Sequence, residues 1–270
     1  MDKRVRSLAG LSLCVALGVS ACGTSDPEGR GATTEVVPAF DNFVPNVWSA
    51  DAGVDLFSRG SELLRAAFEP RRYWPVISEV DDFFPGYTSA LVEQPRPGQS
   101  TRFAERAEYL APLGETVFAH ITDYSATDAE VSGTVCSYMI NTTEGRNWSV
   151  EFPDHAYRIV LKNRGESPGL PGVVDSDPER GEPGDRTPSW DVFGSWKIQP
   201  YVYLSGSSNP PANGGNGIPP GCQDWWLQQF PELIYETPTA QLRRQPKGFV
   251  APVMPLGVQY PGWIGPADVS

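Results

Sequence analysis

No stretch of the 270-residue chain runs to 18 consecutive apolar residues, so nothing in it reads as a membrane-crossing helix. Histidine is nearly absent. Two in the whole chain exclude a histidine-built zinc centre unless carboxylates or cysteines complete it, and no metal site is expected. Positive charge is also short: 21 Lys+Arg against 33 Asp+Glu leaves a formal charge of −12. Such a field repels phosphate backbones and anionic lipid alike, so neither nucleic acid nor an anionic lipid surface is expected as a partner. The chain contains no GxSxG, SxxK, HExxH or Walker loop and no complete GxGxxG. Gly215-Asn216-Gly217 opens the last of these, but Pro219-Pro220 follows where a helix would have to start. No cofactor is expected. Glycine and proline are plentiful, 27 each without a period, which excludes collagen and a long coiled coil.

The N-terminus carries the sharpest signal. Met1-Asp2-Lys3-Arg4-Val5-Arg6 is a short basic segment, and Leu8 to Val19 is an apolar run broken only by Gly10, Ser12 and Gly18. Twelve residues cannot cross roughly 30 Å of hydrocarbon, but they suit the core of a signal peptide. Val19-Ser20-Ala21-Cys22 follows and resembles the lipobox of bacterial lipoproteins. The resemblance implies that residues 1–21 are removed. Cys22 would then become the first mature residue, carrying a diacylglyceryl thioether and fatty acyl chains such as palmitate. The protein would be exported and held at the cell membrane through Cys22, facing the cell-wall or periplasmic side. The alternative is an ordinary secretory signal whose cleavage site happens to precede a cysteine. Each buried methylene is worth about 0.8 kcal/mol, so two or three acyl chains anchor durably. The removed segment carries Lys3, Arg4 and Arg6 against Asp2, so the mature chain stands at −12 − 2 = −14.

With Cys14 in the leader and Cys22 acylated, Cys136 and Cys222 remain. An even pair in an exported chain reads as a disulfide. Two free buried thiols are the alternative.

Composition then divides the mature chain. Residues 22–39 are rich in Gly, Ser, Thr, Asp and Glu and read as a flexible tether. Residues 40–245 read as one domain, and 246–270 as a Pro/Gly-rich C-terminal tail. Helical spacing appears at 52–69, with Asp51 as a possible cap and Pro70 as a stop. It recurs more weakly at 78–92, where Pro85-Gly86 interrupts, and again at 101–111. Beyond Gly114 the period becomes two. Val117, Ala119 and Ile121 alternate with Phe118, His120 and Thr122. A second such run covers 131–140, and at 156–162 Tyr157, Ile159 and Leu161 stand opposite Arg158 and Lys162. A fourth run at 195–204 contains Pro200, which predicts an edge or a bulge. Between these, 163–189 holds five Pro, five Gly and nine charged residues, and is expected to be mobile. Residues 205–221 are expected to be irregular for the same reason.

Helices followed by antiparallel-looking strands predict an α+β fold, with N-terminal helices packed on a curved, mainly antiparallel sheet. That element order loosely resembles the NTF2-like cone. The resemblance implies a concave sheet face, on which NTF2-like enzymes often place an Asp or His.

His120 is the catalytic candidate on that face, expected to share it with Phe118, Thr122 and Tyr124. Asp123 would point the other way, because side chains on a strand alternate. The plainer reading of His120 is a half-buried, hydrogen-bonded ring. Trp225 and Trp226, with Tyr124, are candidate ligand contacts, the tryptophans because aromatic faces stack on sugar rings. The alternative for both is core. Asp175 to Asp185 spaces its acids as a Ca²⁺ loop does, but Arg180 and Arg186 occupy the glycine and terminal-ligand positions, and it reads as a solvated loop. The expected role is therefore a lipid-anchored envelope lipoprotein acting as a non-enzymatic binding or accessory module, with an envelope protein or glycan as partner. The alternative is an NTF2-like isomerase, dehydratase or hydrolase using His120 in a concave pocket.

Overall fold

The first element among the described residues is a strand, placed ahead of the segments read from the sequence as helical or alternating. The computed structural model describes residues 44–72, 80–93, 115–141, 155–173, 185–205, 215–232, 234–235, 243–244 and 252–266. The chain divides into Met1–Ala39 and Phe40–Ser270, and every described residue belongs to the second unit. The leader, Cys22, the whole of the tether, the helix expected at 101–111 and all of the acidic loop but Asp185 lie outside the described residues.

Strand β1 (Asn46–Ala50) pairs in parallel with β2 (Glu115–Ala126). Antiparallel pairing then links β2 to β3 (Glu130–Asn141), β3 to β4 (His155–Asn163), and β4 to both β5 (Trp196–Ile198) and β6 (Val202–Ser205). A short β7 (Gly215–Asn216) pairs in parallel with β6, inside a stretch whose composition predicted only irregular chain. The result is an open, mainly antiparallel seven-stranded sheet in an α+β fold. Pro200 breaks the fourth run as its chemistry requires: it has no N–H to give, and β5 and β6 meet β4 on either side of it. A separate two-stranded ladder joins β8 (Ile234–Tyr235) to β9 (Arg243–Arg244).

Helix α1 (Arg59–Phe68) starts later than Asp51 would have capped it. Ser58 is the cap, and its hydroxyl accepts from the Ser61 N–H; Pro70 opens a 3₁₀ turn at the other end. The 78–92 segment splits at Pro85-Gly86 into α2 (Val80–Phe83) and α3 (Tyr87–Ala90). No helix among the described residues is long and apolar enough to cross a membrane.

Alternation decides the two faces. Val117, Ala119, Ile121, Val131, Val135, Ile159 and Leu161 bury against Leu63, Leu64, Ala67 and Phe68 of α1. Gly133 makes room for that approach, since a Cβ there would stand 2.7 Å from Leu64 Cδ1. On the opposite face, Cys136, Tyr138, Ile140, Ala156 and Leu204 bury against Cys222, Trp225, Trp226 and Phe230, from and just after α4 (Pro220–Gln229). Pro220 is the first helical residue of α4, where its missing N–H would be unpaired in any case.

Two loop expectations change. The described residues 163–173 are pinned to α1: Glu62 accepts from the Gly172 N–H at 2.6 Å, and Arg59 donates to the Pro168 carbonyl at 2.7 Å and the Leu170 carbonyl at 3.4 Å. Composition missed this because the partners belong to another element. Of the C-terminal stretch set apart at 246–270, the described residues 252–266 belong to the folded unit. Tyr260 pairs with β1 through Trp48 N–H to Tyr260 O (2.8 Å) and Tyr260 N–H to Asn46 O (2.9 Å), and Trp263 is buried in the core. The domain therefore extends past 245.

Candidate functional site

The parallel pairing of β1 with β2 sets Ser49 beside His120 and brings Asp51, just past the strand end, under the imidazole. Ser49 Oγ lies 2.8 Å from His120 Nδ1, and Asp51 Oδ1 lies 3.0 Å from Nε2. A carboxylate only accepts, so Nε2 carries the proton and Nδ1 accepts from the Ser49 hydroxyl. Thr122 Oγ1 donates to the second Asp51 oxygen at 2.6 Å. Ser49, His120 and Asp51 thus form one hydrogen-bonded chain, with Thr122 steadying the acid.

Burial disfavours a charge on the ring. Burial pushes the His120 pKa below its ordinary value, and the opposing pull of Asp51 does not restore it. For Asp51 burial acts upward, but the hydrogen bonds from Thr122 and His120 prevail and hold the carboxyl below its usual range. The His120 side chain is 8% exposed, while that of Asp51 is 46% exposed.

A roof closes over the ring. The Trp225 indole stacks on the imidazole with centroids 5.0 Å apart and planes 12° from parallel. Tyr138 packs beside Trp225 at 5.1 Å and meets Phe230 edge-on at 4.9 Å. Two features hold α4 in that position. Cys136 on β3 and Cys222 on α4 are placed as a disulfide with Cα atoms 5.5 Å apart. Gly221 sits where any Cβ would collide with the Thr122 hydroxyl.

The sequence-selected residues scatter accordingly. His120 and Thr122 share the α4 face as expected, and Cys136 and Cys222 come together. Trp225 reaches His120 but is buried, and Trp226 is wholly buried, so neither offers a ring face to a sugar. Tyr124 is not on the His120 face. A β-bulge between Thr122 and Ser125, with Asp123 at φ +51°, inserts one residue and turns Tyr124 toward α1, where its hydroxyl meets Ser58 Oγ at 3.1 Å. Asp123 is met by Thr134 Oγ1 at 3.4 Å, and the acid on His120 is Asp51 instead. Asp51 had no local signal beyond its capping chemistry, because its partner lies 69 residues away.

A second polar centre was not selected from sequence at all. Glu69, the C-terminal cap residue of α1, is buried and accepts from Trp48 Nε1 (2.9 Å), Trp263 Nε1 (2.8 Å) and Gln259 Nε2 (3.1 Å). The Arg65 guanidinium lies 4.4 Å above the Trp263 ring. Burial pushes the Glu69 carboxyl up to about 7, against the pull of Arg65 and the three donors. One signal was readable: an acid at a helix C-terminus opposes the macrodipole, which marks it for a tertiary partner. A groove between Phe57, Glu62, Trp190 and Trp263 includes neither His120 nor Trp225. In comparisons with protein families, curated proteins and solved structures, none matches this chain.

Proposed function

We propose that the chain is an exported bacterial lipoprotein, anchored through acylated Cys22, whose folded unit is a non-enzymatic binding or accessory module for a component of the cell envelope. The anchor rests on the basic segment, the short apolar run and Val19-Ser20-Ala21-Cys22. The module reading is carried by one observation: His120 is closed under Trp225 with both ring nitrogens engaged, while apolar side chains stand exposed at 253–260. Feeding an alkyne-tagged palmitate to cells that express the full chain tests the anchor. Label is expected on wild type and absent from Cys22→Ala. Equal labelling of the two, or none on either, removes the lipoprotein reading.

The finer architectural reading, N-terminal helices over a curved sheet as in an NTF2-like cone, draws support from α1 lying on β2 to β4. Strand β1 ahead of α1, and α4 packed on the other face of the sheet, are departures from that element order.

A second functional reading, an enzyme, rests on the Ser49–His120–Asp51 chain, in which a base oriented by an acid accepts from a hydroxyl. In it Ser49 attacks the acyl carbon of an ester while His120 takes the hydroxyl proton at Nδ1 and Asp51 steadies the imidazolium; the ester C–O bond breaks, the alcohol leaves with that proton, and water then frees Ser49 of the acyl group. Hydrolysis of an activated aryl ester by the purified unit distinguishes the two readings. The module reading expects wild type and Ser49→Ala to be equally slow. A wild-type rate roughly a hundredfold above Ser49→Ala reverses the choice.

A further inference from the structure

Five of the eight large apolar side chains exposed among the described residues fall in one short segment: Val253, Met254, Leu256, Val258 and Tyr260, at 42–61% exposure. From Pro252 to Val258 the chain has no polar side chain, and from Gly248 to Ala267 it has no charge, in a protein of net charge −12. The segment is fixed to the domain through its C-terminal half. Tyr260 and Gln259 bond to β1, and the Gly257 N–H donates to Thr116 Oγ1 at 2.8 Å. The ridge is therefore held outward by the fold, along the edge where β1 ends the sheet.

We infer that this ridge is a membrane-docking surface, and that the envelope component it meets is the bilayer itself. This deepens the module reading above. Three observations choose lipid over other occupants. An added peptide strand needs a row of N–H donors, and Pro252 and Pro255 have none. Those prolines also leave fewer backbone donors to desolvate at a lipid interface. A second copy would bring its own large negative charge against the first. An uncharged bilayer surface opposes neither the charge nor the shape, and Tyr260 stands at the end of the ridge with an amphipathic ring of the kind that settles at headgroup level. By itself the contact is weak, with partitioning expected at millimolar lipid. On a chain anchored at Cys22, the tether raises the effective concentration of the ridge at the surface, and a weak contact suffices to orient the domain.

The test leaves Cys22 out, so its result is independent of acylation. The chain from residue 23 onward contains the whole of Phe40–Ser270. With Cys136 and Cys222 bonded, Val258→Cys supplies one free thiol for an environment-sensitive fluorophore. Asp128→Cys, in the exposed β2–β3 turn, is the control. Titration with uncharged phosphatidylcholine vesicles to about 10 mM lipid is expected to shift the probe at 258 to the blue, saturably, and to leave the probe at 128 unchanged. Adding Met254→Asp and Leu256→Asp, both at exposed positions, is expected to weaken partitioning roughly tenfold or more. No lipid-dependent shift at 258, or one matched at 128, overturns the proposal. So does a shift that follows protein concentration without lipid, which identifies a second copy as the occupant.

Discussion

Glu69→Ala is expected to destabilise the domain by about 4 kcal/mol, measured by urea unfolding near pH 6. The substitution orphans three buried donors, on Trp48, Gln259 and Trp263, and leaves Arg65 without the acid that faces it. Those groups belong to β1, the C-terminal segment and α1, so the loss is felt in three elements at once. Glu69→Gln keeps the volume and one acceptor oxygen, and should cost only about 1–2 kcal/mol.

The pH profile carries a second signature of the same residue. Burial lifts the Glu69 carboxyl from 4.5 to about 7, so the folded state binds its proton more tightly than the unfolded chain does. Its contribution is whole below about pH 4.5 and is lost as pH rises through about 7, a swing of roughly 3 kcal/mol. His120 and Asp51 act with the opposite sign. Both have lowered pKa values, so what they contribute is present at higher pH and is lost on acidification. Subtracting the Glu69→Gln profile from that of wild type isolates the falling limb. A flat difference between pH 5 and 8, or Glu69→Ala within about 1 kcal/mol of wild type, means that Glu69 is not the tie.

Removing the Cys136–Cys222 bond is the other large effect. The bond spans 86 positions of sequence. Loop-closure entropy assigns about 4–5 kcal/mol to a closure of that length. Cys136→Ser with Cys222→Ser should therefore lower the melting temperature by roughly 10 °C. The damage should be local as well as global. Amide exchange in Pro220–Gln229 should speed up before that of β2 and β3, because the bond fastens α4 over His120 while those strands keep their own ladder. Peptide mapping without reductant that recovers both residues as thiols, or an unchanged melting temperature in the double variant, contradicts this account.

Where local chemistry was sufficient, the sequence alone located the structure. Alternation marked β2, β3 and β4 and assigned their faces as far as Thr122. Pro85-Gly86 split a weak helix, and Pro200 split the last run into β5 and β6, because a missing N–H acts at its own position whatever surrounds it. Counting cysteines paired Cys136 with Cys222 without geometry. The tertiary structure decided the rest, where the partners lie far apart along the chain. Strand β1 pairs in parallel across some 70 residues, and only that pairing makes Asp51 the acid on His120. One residue inserted at Asp123 moved Tyr124 to the opposite face, as any odd insertion must when side chains alternate with period two. Gly/Pro-rich composition at 246–270 described a chain with little intrinsic order, yet the buried acceptor of Glu69 and the open edge of β1 hold part of it in the core. Composition reports what a segment can do by itself. Docking depends on groups that other elements leave unpaired, and these exist only once the fold has formed.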